Sequence, residues 1–425
     1  MSIEAAGIAV PARRWIDEAV FLVFLLLAFI GLTPFHAPDP MIAQLGAAVQ
    51  TGAGDAMRQV AYIAAFAAIV FVAMRRQGAG AFSSLPLVLL GLLTWCVVSA
   101  LWSPEPAVTI RRAGLAIVLV VSAMMSVETL GAEKAMRLWR WVLLAVLVIN
   151  IASAKFVANA VHPVGEADPA LVGNWRGVYV HKNIAGAVGA MTALMFLFTP
   201  REKAWHKLGD LAVVALALFF TVMTHSKSSM GLLVIAALAG AVYRIAWRRE
   251  IDRTIALVAT GLAVVAGVVF FFSDQALFAR LFSDPQQFTG RTQIWNAEIA
   301  YIRDHPLFGA GFGTFAGTGG VSPLARYVGG WVSSEAANGH NGYLQLLVTV
   351  GGIGFALAMV GLIVLPAIQF WRHGALAEKS VLFALFVFLA LHNLMETDFL
   401  EGDGVAWVAY LLMLAVLGTM RRAEA

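Results

Sequence analysis

A few short runs of the sequence gather residues whose types and spacing could do chemistry. They are S-A-L-W-S-P-E-P-A-V-T-I-R-R, ending in Arg111 and Arg112, and G-N-W-R-G-V-Y-V-H-K-N, with Arg176, His181, Lys182 and Asn183. T-H-S-K-S-S surrounds Lys227, and T-G-R-T-Q-I-W carries Arg291. H-P-L-F-G-A-G-F-G and N-G-H-N-G-Y-L follow, the latter with His340 and Asn341. Arginines bind phosphate oxygens by paired hydrogen bonds and stabilise the charge that develops as a diphosphate leaves. A histidine, with a reference pKa of about 6.5, can accept a proton from an attacking hydroxyl. Basic runs interleaved with histidine and asparagine therefore suit glycosyl transfer from a sugar carried on a lipid diphosphate.

Each run also has a plainer reading. Arginine at a membrane interface commonly reaches out to lipid phosphate, and Arg111 and Arg112 read equally well as helix-end anchors. His181 alone reads as an interfacial hydrogen-bonding group, and His340, between Gly339 and Asn341, reads as structural or chemical with equal ease. Gly309-x-Gly311-x-Gly313 lacks the preceding strand of a nucleotide loop and reads as a turn. No HExxH or DxD run occurs in the loops that carry these residues, and their carboxylates show no ligand spacing, so the expectation is no metal and no cofactor. Asp398-x-x-Glu401-x-Asp403 reads as a solvated turn.

These residues must be positioned by membrane helices. The chain is 60% hydrophobic and only 13% charged over 425 residues, with mean hydropathy +0.81, where soluble domains carry about 25% charged residues. That excludes a soluble nucleotide-binding or nucleic-acid-binding module, and one cysteine, Cys96 in an apolar run, excludes disulfide and zinc-knuckle scaffolds. Apolar runs predict about 12 transmembrane helices, at 15–35, 57–74, 85–102, 113–127, 137–157, 184–198, 208–223, 230–247, 255–272, 342–369, 381–394 and 404–420. If loops alternate sides, 18 of the 29 lysines and arginines fall on one side. By the positive-inside rule that side is cytoplasmic and holds both termini, which places all the runs above on the outer face. The expected fold is all-α and polytopic, a single integral membrane domain over 1–425. A large outer loop at 273–341 joins spans 9 and 10. Within it, Trp295, Ile299 and Ile302 share one face of a predicted helix over 289–305 that could lie on the membrane.

The run from Gly290 to Gly354, with G-R-T-Q-I-W, H-P-L-F-G-A-G-F-G-T-F and H-N-G-Y-L-Q-L-L-V-T-V-G-G-I-G, resembles the bacterial O-antigen ligase and polymerase superfamily. The upstream W-R-G-V-Y-V-H-K-N and W-S-P-E-P-A-V-T-I-R-R resemble its exopolysaccharide polymerases of the succinoglycan type. The resemblance implies a metal-independent, GT-C-like membrane glycosyltransferase using undecaprenyl-diphosphate-linked oligosaccharide at the periplasmic face of the inner membrane. It implies that Arg291 and Arg176 hold the diphosphate and that His340 is the base or orients the acceptor. Lys182, Asn183, Arg111, Arg112 and Asn341 are expected to line the donor and glycan site. Expected partners are membrane lipids, with a chain-length regulator and a flippase of the same pathway, and no nucleic acid. The expected activity is a polysaccharide polymerase; the alternatives are an O-antigen ligase acting on lipid A core and a 12-helix transporter. A transporter predicts two similar halves and mid-membrane charge, neither of which the sequence displays.

Overall fold

Proline at the first helical position and glycine just past the last can bracket an apolar run, and a helix forms between the two signals. One runs from Pro106, whose missing N–H costs nothing there, to Leu130, ended by Gly131 at φ 83°. A computed structural model describes residues 14–36, 55–164, 166, 169–248, 291–316, 322–329, 339–372 and 377–424. In chain order its helices are α1 (Arg14–Phe29), α2 (Ala56–Gln77), α3 (Leu87–Val98), α4 (Pro106–Leu130) and α5 (Ala132–Phe156). Then come α6 (Lys182–Phe198), α7 (Ala204–Met223), α8 (Lys227–Arg248), α9 (Arg291–Asp304) and α10 (Gly342–Ala358). Last are α11 (Leu365–Arg372), α12 (Ala377–His392) and α13 (Val405–Glu424).

The protein is a polytopic, all-helical membrane protein. Seven described spans are long and apolar enough to cross a membrane, and Leu87–Leu101, Lys182–Phe198 and Lys379–His392 are shorter apolar helices. Each predicted span has a helix except 255–272, which lies outside the described residues, as do 273–290, 317–321 and 330–338 of the 273–341 loop.

Helix α6 explains how a short span can serve. It is buried along nearly its whole length and packs against α5, α7, α8, α12 and α13. Small residues let its neighbours approach: a Cβ on Gly186 would lie 2.6 Å from Ser226 Cβ, and one on Gly189 2.4 Å from Thr221 Oγ1. Surrounded by protein rather than lipid, α6 delivers its N-terminus, at His181 to Asn183, into the interior of one end of the bundle.

Helix α10 is broken at Gly351, whose φ of 65° is not helical. An interrupted helix at membrane depth leaves backbone groups unsatisfied, at several kcal/mol each in hydrocarbon. The glycine-rich passage supplies the missing partners. Ala310 N donates to Val348 O at 2.8 Å and Gly311 N to Thr349 O at 2.9 Å. Gly352 N donates to Pro306 O at 2.8 Å, and Trp95 Nε1 caps Val350 O at 2.9 Å. A Cβ on Gly351 would sit 2.2 Å from Leu307 O, so close backbone approach is what both glycine runs are for. The Gly309–Gly313 segment is thus more than a turn; it closes the break in α10.

Ion pairs gather at the two ends of the bundle. At one end Arg76 pairs with Asp17, Lys134 with Glu18, Arg140 and Arg201 with Asp210, and Arg422 with Glu128. At the other, Arg58 pairs with Asp403, Arg176 with Glu166 and Arg291 with Glu396.

Candidate active site

Two helix N-termini and one arginine-bearing helix meet at the turn between α12 and α13. Asn341 caps α10, its Oδ1 accepting from Tyr343 N at 3.1 Å and Leu344 N at 3.0 Å. His181 caps α6, its Nδ1 accepting from Asn183 N at 3.2 Å. Such termini carry a partial positive charge and favour an anion. The anion present is the carboxylate of Glu396.

Glu396 is a hub. Its Oε1 accepts from Asn183 Nδ2 at 2.6 Å and from Arg291 Nη2 at 2.9 Å. Its Oε2 lies 3.0 Å from His340 Nδ1. Arg291 Nη1 also donates to Met395 O at 2.5 Å, so its fork grips the turn at two points. The strap 339–342 is stitched to the same turn by Gly342 N, which donates to Asn393 O at 2.8 Å and Glu396 O at 3.0 Å. Asn341 Nδ2 adds a longer bond to Leu394 O at 3.3 Å. Gly342 permits this approach, since a Cβ there would fall 2.1 Å from Asn393 Oδ1. Burial works to raise the Glu396 pKa, but the hydrogen bond from His340 and the charges of Arg291, His340 and His392 outweigh it and hold it at about 2.

The structure therefore brings Arg291, His340, Asn183 and Asn341 together. Arg176 lies one layer away. It is buried, with Nε donating to Asn159 O at 2.8 Å and Nη1 3.8 Å from Glu166 Oε1. Glu166 also takes His162 Nδ1 at 2.6 Å, and the His162 ring meets the His181 ring at 5.7 Å between centroids. His181 links the layers: burial pulls its pKa down to about 4, opposed by Glu396 and reinforced by His162, His340 and Lys182. It is neutral at physiological pH. Each of the two arginines leaves one buried N–H without a hydrogen-bond partner, Nε of Arg291 and Nη2 of Arg176.

Arg111 and Arg112 stand elsewhere, in the first turns of α4. The recorded hydrogen bond of Arg112 runs from Nη1 to Gly313 O, beside a network in which Thr109 Oγ1 donates to Ser103 Oγ at 2.8 Å. Among the described residues this group serves the Gly309–Gly313 passage.

One reading of the sequence changes. The Asp398–Asp403 turn is not simply solvated: Asp398 accepts from buried His392 Nδ1 at 2.7 Å, and Asp403 pairs with Arg58 at 3.3 Å. Helix α9 buries Ile294, Ala297, Glu298 and Tyr301 against α10, which leaves the Trp295, Ile299, Ile302 face only partly covered. The hub Glu396 was missed. Its sequence signal was a carboxylate in L-M-E-T-D-F-L, directly after an apolar span, on the side expected to carry Arg291 and His340.

Fold and site together define a multi-pass membrane protein with a buried, histidine-containing acid–base cluster at one end of its bundle. Residues 212–359 match the family model described as O-antigen ligase. That match covers about a third of the chain and supports a relation to the O-antigen ligase and polymerase superfamily. The matched stretch contains Arg291, His340 and Asn341, whereas Arg176, Lys182, Asn183 and Glu396 fall outside it. No curated protein matches the chain.

Proposed function

We propose that the protein is a polysaccharide polymerase that extends undecaprenyl-diphosphate-linked glycans at the periplasmic face of the inner membrane. The observation that carries the reading is the Glu396 hub, which joins a histidine to an arginine at two helix N-termini. A carboxylate accepting from His340 Nδ1 fixes the tautomer and leaves Nε2 as the basic nitrogen. That nitrogen takes the proton of an acceptor hydroxyl, whose oxygen bonds to the anomeric carbon of the donor sugar. The bond from that carbon to the phosphate oxygen breaks, and its electron pair leaves on the diphosphate. Arg291, with the α6 and α10 N-termini, stabilises the departing charge, and the buried Arg176 adds positive potential one layer behind it. On this reading the cations stand where a metal ion works in sugar-nucleotide enzymes, and transfer is metal-independent.

The description of the matched family favours a second reading, a ligase passing the finished glycan to lipid A core. Deleting the gene separates the two. A polymerase leaves single repeat units on the lipid carrier and no high-molecular-weight polymer. Normal polymer that is no longer attached to its acceptor supports the ligase, and lipid-linked units stranded on the inner face refute both and point to a flippase.

A further inference from the structure

Glu298, on α9 two turns from Arg291, is fully buried, and neither of its carboxyl oxygens has a hydrogen-bond partner. Helix α9 lies outside the membrane spans, and burial alone pushes this carboxyl up to about 8, so it is a neutral acid at physiological pH. It faces the strap that bears His340. A Cβ on Gly339 would lie 2.1 Å from Glu298 Oε1, so the carboxyl packs on a bare Cα. One turn earlier, Trp295 Nε1 donates to Gly339 O at 2.6 Å. The next residue, His340, holds φ at 49°, which a residue other than glycine keeps only when its surroundings impose it. The strap is thus clamped by α9 on one side and by α10 and the 393–396 turn on the other.

We infer that Glu298 is a positioning residue for His340: as a neutral acid it fills the space beside Gly339 and seats the strap against Glu396, and on losing its proton it drives the strap out of register. The inference rests on the proposed role of His340 as proton acceptor. The titratable groups on the elements packed around Glu298 are His340 on the strap, Tyr343 on α10, and Arg326 and Tyr327 at the 3-10 turn Pro323–Arg326. Helix α9 itself carries Arg291, Tyr301, Arg303 and Asp304. None of these offsets the effect of burial on Glu298, so its anion would be unpaired, which is costly inside a protein. For an acid with a raised pKa, the seated strap is favoured at low pH. That advantage shrinks as pH rises from the ordinary carboxyl value of about 4.5 and is gone above about 8.

The test uses purified full-length protein and lipid-linked repeat units. Infrared difference spectra between about pH 6 and about pH 9.5 should show a protonated-carboxyl C=O band disappearing in the wild type and absent from Glu298→Gln. Glu298→Gln should keep kcat near pH 7 within about threefold and lose the wild type's fall in kcat above about pH 8, with donor KM unmoved. Gly339→Ala should lower kcat about tenfold or more. Adding Glu298→Asp, one methylene shorter, should recover much of that loss. Matching alkaline limbs in wild type and Glu298→Gln, a harmless Gly339→Ala, or no rescue by Glu298→Asp would overturn the inference. A missing carboxyl band with transfer intact overturns this role alone, whereas a wild type without transfer activity overturns the glycan-transfer reading and this role with it.

Discussion

The two ends of the bundle each hold a carboxylate gripped by arginine, and they are built differently. Asp210 on α7 receives Arg201 Nε at 2.7 Å and Arg201 Nη2 at 3.2 Å, with Arg140 Nη2 from α5 at 3.3 Å. The Arg140 guanidinium also lies over the Phe196 ring at 4.7 Å. That hub consists of cations closing on one anion, and its effect is to lock α5 to α7. Glu396 receives an arginine too, but adds an amide, an imidazole and two helix N-termini. An arginine–carboxylate pair therefore does not by itself mark a site. The marks are a group able to move a proton and a surplus of positive potential around the anion.

Removing the anion should have the largest effect. Glu396→Ala leaves Arg291 largely buried without its partner, which typically costs about 3–5 kcal/mol. Thermal unfolding in detergent should show that loss together with abolished transfer. Wild-type stability would place Glu396 among dispensable surface ion pairs. His340→Ala comes next. It should lower kcat by about 10²- to 10⁴-fold and leave donor KM nearly unchanged, because a proton acceptor acts mainly in the transition state. Full turnover in that variant would make the histidine structural.

Acid should separate the hubs more gently. A carboxyl held below its ordinary value contributes stability that is complete above about 4.5 and lost as pH falls through about 2. Unfolding temperatures of wild type and Glu396→Gln should therefore differ by a constant amount from about pH 8 to 5 and converge only in strong acid. Convergence already near pH 5 would contradict the pairing. The smallest effect belongs to Asp210: Arg201→Lys keeps the charge of a partly exposed group and should cost under about 1 kcal/mol, with transfer unaffected. A kcat that falls tenfold there would erase the distinction between the ends.

Much of the architecture was legible in the sequence, because lipid demands long apolar helices. Span 113–127 looked short only because Arg111 and Arg112 break the apolar run; the helix begins at Pro106 regardless. Arg291, His340, Asn183 and Asn341 were legible as types in motifs, and they do converge. Their common partner was not. Glu396 is a single acid some fifty residues beyond the histidine strap, and only the docking of that strap, Asn183 and Arg291 on the 393–396 turn shows that it is buried. Likewise nothing in the glycine spacing of 309–313 announces that its N–H groups complete a helix broken forty residues later. Local periodicity reports elements; which element repairs or neutralises another is a tertiary fact.

The central claim is that a fork of guanidinium N–H groups at the Glu396 hub handles a lipid diphosphate without a metal ion. The most direct measurement is transfer by purified protein in liposomes, with lipid-linked repeat units and excess EDTA, comparing wild type, Arg291→Lys and Arg291→Ala. Lysine keeps the charge but cannot bond Met395 O and Glu396 together while facing a phosphate. The account predicts that wild type elongates glycan in EDTA and that Arg291→Lys is nearly as inactive as Arg291→Ala. A wild-type rate for Arg291→Lys, or loss of activity in EDTA that added magnesium restores, would contradict it.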